Sequence, residues 1–134
     1  MFRYFYVFLI TLILVNTAVA KMTQEAVDKV YTKPIVLEDK QKIINISLPV
    51  DSTDGYRWFL VSPDYDYIRA VSFVHKSVDM KNSEYGSTDN FKFRLQDSFK
   101  KVPQKIVLHF ECFKLFGEDN PIISKDIVIL SALD

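Results

Sequence analysis

Phe91-Lys92-Phe93-Arg94-Leu95-Gln96 alternates large apolar side chains with charged or polar ones at every second position. An extended strand sends successive side chains to opposite faces, so Phe91, Phe93 and Leu95 would line a covered face and Lys92, Arg94 and Gln96 a wet one. A helix would scatter the same three apolar groups around its axis. The period recurs on both sides of this stretch. Downstream, Ile106, Leu108, Phe110 and Cys112 alternate with Val107, His109 and Glu111. Ile127 and Ile129 oppose Val128 and Leu130, an apolar run expected to be covered on both faces. Upstream, Ile44, Ile46 and Leu48 oppose Asn45 and Ser47, and Tyr56, Trp58 and Leu60 oppose Arg57, Phe59 and Val61. Residues 34–37 and 67–76, rich in Ile, Val and Phe, complete about seven short strands.

One helix is expected, over residues 23–30, with Thr23 as its cap and Ala26, Val27 and Val30 as a small apolar face. Strands with no helices between them predict an antiparallel β-sandwich, since a parallel α/β sheet needs a helical crossover after each strand. The chain carries no internal repeat, low-complexity stretch or linker.

Composition narrows the function. The 134 residues contain 17 Lys+Arg against 17 Asp+Glu, so no cationic excess points to nucleic acid as the main partner. A single cysteine excludes an internal disulfide and a Cys-rich zinc site, and two histidines leave little for an acid–base centre. Neither a nucleophile elbow, a phosphate loop nor a metal motif is present. The expectation is one domain that is not an enzyme and uses no cofactor or metal.

Residues 1–20 are separate from that domain. Arg3 is followed by an apolar run from Tyr4 to Val15 and by Ala18-Val19-Ala20, the charged start, apolar stretch and small-residue exit of a secretory signal peptide. The run falls short of the ~20 residues that span a bilayer. Cleavage is expected after Ala20, which leaves residues 21–134 with one acidic charge in excess once Arg3 is gone. The mature chain is expected to be exported: periplasmic or extracellular in a bacterium, secreted, vesicular or lysosomal in a protozoan. It is expected to be a monomer free of the membrane.

The three glycines each fall between strands: Gly55 after the second, Gly86 after the fourth, Gly117 after the sixth. Each reads first as a turn residue. Connections from even to odd strands leave an up-and-down sandwich at the same end, however, so the three loops also form a candidate binding edge.

These loops carry a family resemblance. Asp51-Ser52-Thr53-Asp54-Gly55-Tyr56-Arg57-Trp58 resembles the Asn-Pro-Thr-Thr-Gly-(Tyr/Phe)-x-Trp signature of the chagasin family, with Thr53, Gly55, Tyr56 and Trp58 matching. Ile46-Ser47-Leu48-Pro49 is similar to the strand that leads into that loop. Glu84-Tyr85-Gly86-Ser87-Thr88-Asp89-Asn90-Phe91 stands where the family has Gly-x-Gly-Gly before an aromatic strand, and keeps Gly86 alone of the three glycines. Lys114-Leu115-Phe116 stands where the family has Arg-Pro-(Trp/Phe). The resemblance runs in order from about Lys33 to Leu133, and only its first motif is specific.

It implies an immunoglobulin-like sandwich that inhibits papain-like cysteine proteases, reversibly and noncovalently, by wedging three loops into the active-site cleft. On that reading Thr53, Asp54, Gly55 and Tyr56 approach the catalytic centre, flanked by Tyr85, Gly86 and Ser87 on one side and Lys114, Leu115 and Phe116 on the other. Asp54 would set a carboxylate beside the thiolate–imidazolium pair, where it either repels the first or pairs with the second. Lys114 lacks the bidentate fork of Arg and Leu115 the stiffness of Pro, so binding is expected to be weaker or differently targeted than in closer family members. The alternative is an immunoglobulin-like binding or adhesion domain without inhibitory activity.

Other residues are assigned bland roles. Tyr56 and Trp58 occupy alternating strand positions and are expected in the core. His75 and His109 have no acidic or second His neighbour at ligand spacing, so both are expected to be structural or exposed. Asp64, Asp66, Asp79, Glu84 and Asp89 lack calcium-loop spacing. Lys100, Lys101 and Lys105 read as a solvated basic turn, and Asn45-Ile46-Ser47 is a glycosylation sequon set within a strand. Cys112 is expected to pack as a small hydrophobe.

Overall fold

A computed structural model describes residues 22–51, 55–61, 66–77, 86–116 and 122–131. The expected export segment lies outside these residues. The described elements are α1 (Gln24–Asp28), β1 (Ile35–Val36), β2 (Ile43–Pro49), β3 (Tyr56–Val61), β4 (Ile68–Ser77), β5 (Ser87–Leu95), β6 (Lys105–Lys114) and β7 (Ile123–Leu130), with a 3-10 turn over Asp97–Lys100. One sheet has the order β1-β7-β6-β3 and the other β2-β5-β4. Every pair is antiparallel except β1–β7. This is an immunoglobulin-like sandwich whose first strand has joined the edge of the sheet built by the last.

The alternating residues supply the core. Ile44, Ile46 and Leu48 of β2 and Phe93 and Leu95 of β5 face Trp58 of β3, Ile106, Leu108 and Phe110 of β6, and Ile127 and Ile129 of β7, all buried. Phe110 sits at the centre, its ring centroid 5.0 Å from Phe91 and 6.4 Å from Phe93. Each fully buried side chain of this size contributes about 1.5–3 kcal/mol.

Three features depart from the sequence reading. First, β5 begins at Ser87, well before Phe91, because Thr88 pairs with Pro49 on one side and Ser87 with Ser77 on the other. A central strand takes its backbone hydrogen bonds from both neighbours, which holds polar residues extended. Second, Val128 and Leu130 are only half-buried, so β7 is fully covered on one face rather than two. Third, the 3-10 turn buries Phe99 against Tyr67, at 5.7 Å between ring centroids, and closes the end of the sandwich away from the loops named above.

The N-terminal segment seals an open side of the sandwich. Thr23 caps α1 by accepting from the Ala26 amide, as expected, and Val27 is fully buried. The Gln24 side-chain amide behaves like a short strand: Oε1 accepts from the Ser124 amide at 3.0 Å and Nε2 donates to the Ser124 carbonyl at 2.7 Å. Tyr31 crosses to the other sheet, where its hydroxyl accepts from the Ser47 amide of edge strand β2 at 2.9 Å. Two backbone edges that would otherwise stay open are thereby satisfied. Beneath this strap Cys112 is buried against Met22, and burial pushes its thiol well above the ordinary range, which makes it inert.

Each histidine has an acidic partner from a neighbouring strand, and His109 has a second two residues along its own strand, which corrects the sequence reading of them. His109 of β6 lies opposite Asp126 of β7 and donates to it through Nδ1, while its Nε2 is 3.3 Å from Glu111. The Asp126 hydrogen bond, reinforced by Glu111, holds the imidazole pKa above its ordinary value despite some desolvation. A raised folded-state pKa stabilises the fold fully below the unfolded value near ~6.5, and the contribution fades as pH rises through the folded value. The pair is exposed, so the effect is under about 1 kcal/mol. Urea midpoints should fall slightly between about pH 6 and pH 8, and Asp126→Asn should flatten that slope. A slope that Asp126→Asn leaves unchanged would assign it to another group.

Candidate functional site

The described flanks of all three glycine loops meet at one end of the sandwich. Tyr56, at the start of β3, lies directly opposite Lys114, at the end of β6, which places the first and third loops side by side. Pro49 at the end of β2 pairs with Thr88 at the start of β5, and Ser87 pairs with Ser77 at the end of β4, which brings in the second loop.

Short polar links join these flanks, some within a sheet and some between the two. The Val50 amide donates to the Ser87 carbonyl at 3.1 Å, and Ser87 Oγ donates back to the Val50 carbonyl. The Tyr56 amide closes the first loop onto the Asp51 carbonyl at 3.2 Å. Trp58 Nε1 donates to the Pro49 carbonyl at 2.8 Å. The Lys114 ammonium lies 5.2 Å from the centroid of the Tyr56 ring, a cation–π contact between the first and third loops.

Below them lies a residue that sequence reasoning assigned no role. Asp89 is fully buried; its Oδ2 accepts from the Trp58 amide at 3.0 Å and its Oδ1 from His75 Nδ1 at 2.7 Å. β3 is an edge strand, so the Trp58 amide on its open side would have no ladder partner. One carboxylate thus ties β5 to β3 and holds His75 of β4. The signal in the sequence is slight: an acid two residues after Ser87, at a position whose neighbours turn out to be paired on both sides.

The ten residues singled out by the resemblance take different places. Thr53, Asp54 and Tyr85 lie outside the described residues. Gly55 and Gly86 both have positive φ, 83° and 73°, so the turn geometry requires glycine. A Cβ on Gly55 would meet nothing within 4 Å among the described residues, so its surroundings there are open. Leu115 and Phe116 are exposed, Phe116 to 89%, which leaves an aromatic ring that no described residue covers. Lys114 is half-buried. Tyr56 and Ser87 are buried, so their side chains support the loops from below and do not line the outer surface. The core placement expected of Tyr56 and Trp58 is observed.

Among the described residues no group of three or more His, Cys, Asp or Glu is placed to hold a metal, and no helix is long and apolar enough to cross a membrane. A cavity at the opposite end is lined by Asp39, Lys42, Leu95, Asp97 and Lys100 among others. The fold and this end define an immunoglobulin-like sandwich that presents three loops from one interlocked base. Comparison with family models, curated proteins and solved structures finds no match.

Proposed function

We propose that the chain is an exported, reversible, noncovalent inhibitor of papain-like cysteine proteases, acting through the three-loop end. The observation that supports this best is the cross-linking of the loop bases: Val50 to Ser87, Tyr56 to Lys114, and Trp58 to Pro49. A wedge must keep its shape to enter a cleft, and a base already ordered in the free protein lowers the entropy cost of binding. Gly55, beside which a Cβ would meet no described residue within 4 Å, suits the close backbone approach that a cleft floor demands. The exposed Phe116 and Leu115 give an outer loop apolar surface for a cleft wall. The Thr53-x-Gly55-Tyr56-x-Trp58 motif of the chagasin family supplies the target class.

Steady-state assays with papain and a cathepsin-like enzyme test the reading. Competitive, dilution-reversible inhibition with an inhibition constant at or below about 1 μM is expected, equivalent to roughly −8 kcal/mol. No inhibition at micromolar protein, or loss of activity that dilution does not restore, would reject it.

A further inference from the structure

A second surface, the outer face of the β2-β5-β4 sheet, which runs from the opposite end to the flank of the second loop, has a composition that folding does not explain. The outward positions of β2, β5 and β4 carry four cations, Arg69, Lys76, Lys92 and Arg94, all exposed, and no carboxylate. Among the described residues none of the four has an ion-pair partner. Arg69 and Arg94 stand directly opposite each other across the β4–β5 pair, an arrangement in which like charges weaken a sheet. The chain as a whole is neutral, and the outer face of the other sheet sets Glu111 and Asp126 against Arg57 and Lys105, so positive charge without balancing carboxylates belongs to the β2-β5-β4 face.

We propose that this face binds a linear anionic polysaccharide. The cations run from Arg69 and Arg94 at one end, through Lys92, to Lys76 opposite Thr88. That is six residues along β5, about 20 Å of strand. The track suits an extended polymer carrying repeated sulfate or carboxylate groups rather than a single small anion. Between the cations lie short polar side chains, including those of Asn45 and Ser72, which have no hydrogen-bond partner among the described residues and can meet sugar hydroxyls. No outward position of the three strands is aromatic; the nearest rings, the part-exposed Phe73 and Phe91, lie at inward positions and pack on each other at 5.0 Å, so the face lacks the row of platforms on which a single-stranded nucleic acid stacks. The apolar side chains there, such as Ile43 and Val74, are interspersed with polar and charged neighbours and belong to no amphipathic helix that could lie in a bilayer interface. This binding does not depend on protease inhibition.

The test is salt elution of the purified protein from immobilised heparin, as a sulfated polymer, and from immobilised alginate, as a carboxylated one. The controls are a dT oligonucleotide of about 20 residues and vesicles of phosphatidylcholine with about 30% phosphatidylserine. Retention on at least one polysaccharide beyond about 0.15 M NaCl is expected, and should exceed that on either control. Lys92→Glu/Arg94→Glu should abolish it, weakening binding at least about tenfold and lowering the salt slope by about 2. The same variant should melt no lower than the parent, because the carboxylate introduced by Arg94→Glu would face Arg69 as an opposite charge. Lys101→Glu/Lys105→Glu makes the same charge change at the end of the 3-10 turn and the start of β6, off this face, and should leave retention nearly intact. Flow-through on both polysaccharides, equal losses in the two double variants, or stronger binding to oligonucleotide or vesicles would each overturn the assignment.

Discussion

Asp89→Ala is expected to destabilise the sandwich by about 3 kcal/mol, a drop of roughly 10–15 °C in melting temperature for a domain of this size. The substitution removes both acceptors of a fully buried carboxylate at once. The Trp58 amide, on the open side of an edge strand, then faces a small cavity with no partner, and His75 loses the bond that holds its ring. Leaving a buried donor unsatisfied costs about 1–3 kcal/mol, and charge-assisted bonds stand at the upper end of that range. Asp89→Asn separates shape from charge. Its carbonyl oxygen can accept from Trp58 while its amide donates to a neutral His75 ring, so the loss should be half or less. Urea unfolding at constant m reads both. A loss below about 1 kcal/mol for the alanine variant would mean that water replaces the carboxylate, and the brace between the sheets would carry little of the stability.

That brace also shows what could and could not be read along the chain. Six residues in strict alternation suffice for a half-buried strand, and the segments around Ile44, Trp58, Phe93 and Phe110 form the core for that reason. Where a strand is held by neighbours on both sides, side-chain chemistry no longer marks it. Ser87-Thr88-Asp89-Asn90 has the composition of a turn, yet it is the first half of β5 because β2 and β4 flank it. Ile123 to Asp126 is similarly disguised: Lys125 takes an inward position of β7 and is buried there despite its charge. β4 gives the converse case. It lies at a sheet edge and stays exposed over most of its length, Phe73 included, so no alternation marks it.

The candidate site divides the same way. Its placement at one end follows from counting strands, and the glycines from their loops. Which of its side chains face outward does not follow. Tyr56 and Ser87 match a binding motif by position but are buried supports. The Asp89 partner of His75 and the Asp126 partner of His109 are set by strand register, which no local spacing reveals, whereas Glu111 stands two residues from His109 on the same strand face.

Phe116→Ala and Gly55→Val are expected to raise the inhibition constant against papain strongly while acting on the fold in opposite degrees. Phe116 is almost wholly exposed, so its truncation should change stability by no more than about 0.5 kcal/mol. If the ring anchors the third loop on a cleft wall, the same truncation should weaken binding about 30-fold, the effect of losing an aromatic anchor of about 2 kcal/mol. Gly55→Val combines two effects. At φ 83° a β-branched residue strains the loop by roughly 1–3 kcal/mol even though a Cβ there would meet no described residue within 4 Å. Its added methyl groups would also meet the protease where only backbone fits, and the total loss should reach about 100-fold or more. Gly55→Ala partitions the two, since it keeps most of the strain and little of the bulk. Thr53→Ala, one step further into the loop, should weaken inhibition without lowering the urea midpoint. The comparison between binding and stability decides the matter. If Phe116→Ala and Gly55→Val leave inhibition untouched while Gly55→Val lowers the melting temperature, the loop end is a structural terminus, and whatever inhibition exists comes from another face. If inhibition falls only in proportion to lost stability, the loops shape the domain without touching the enzyme. Wedge insertion is the one arrangement in which Phe116→Ala, nearly silent in the free protein, is costly in the complex.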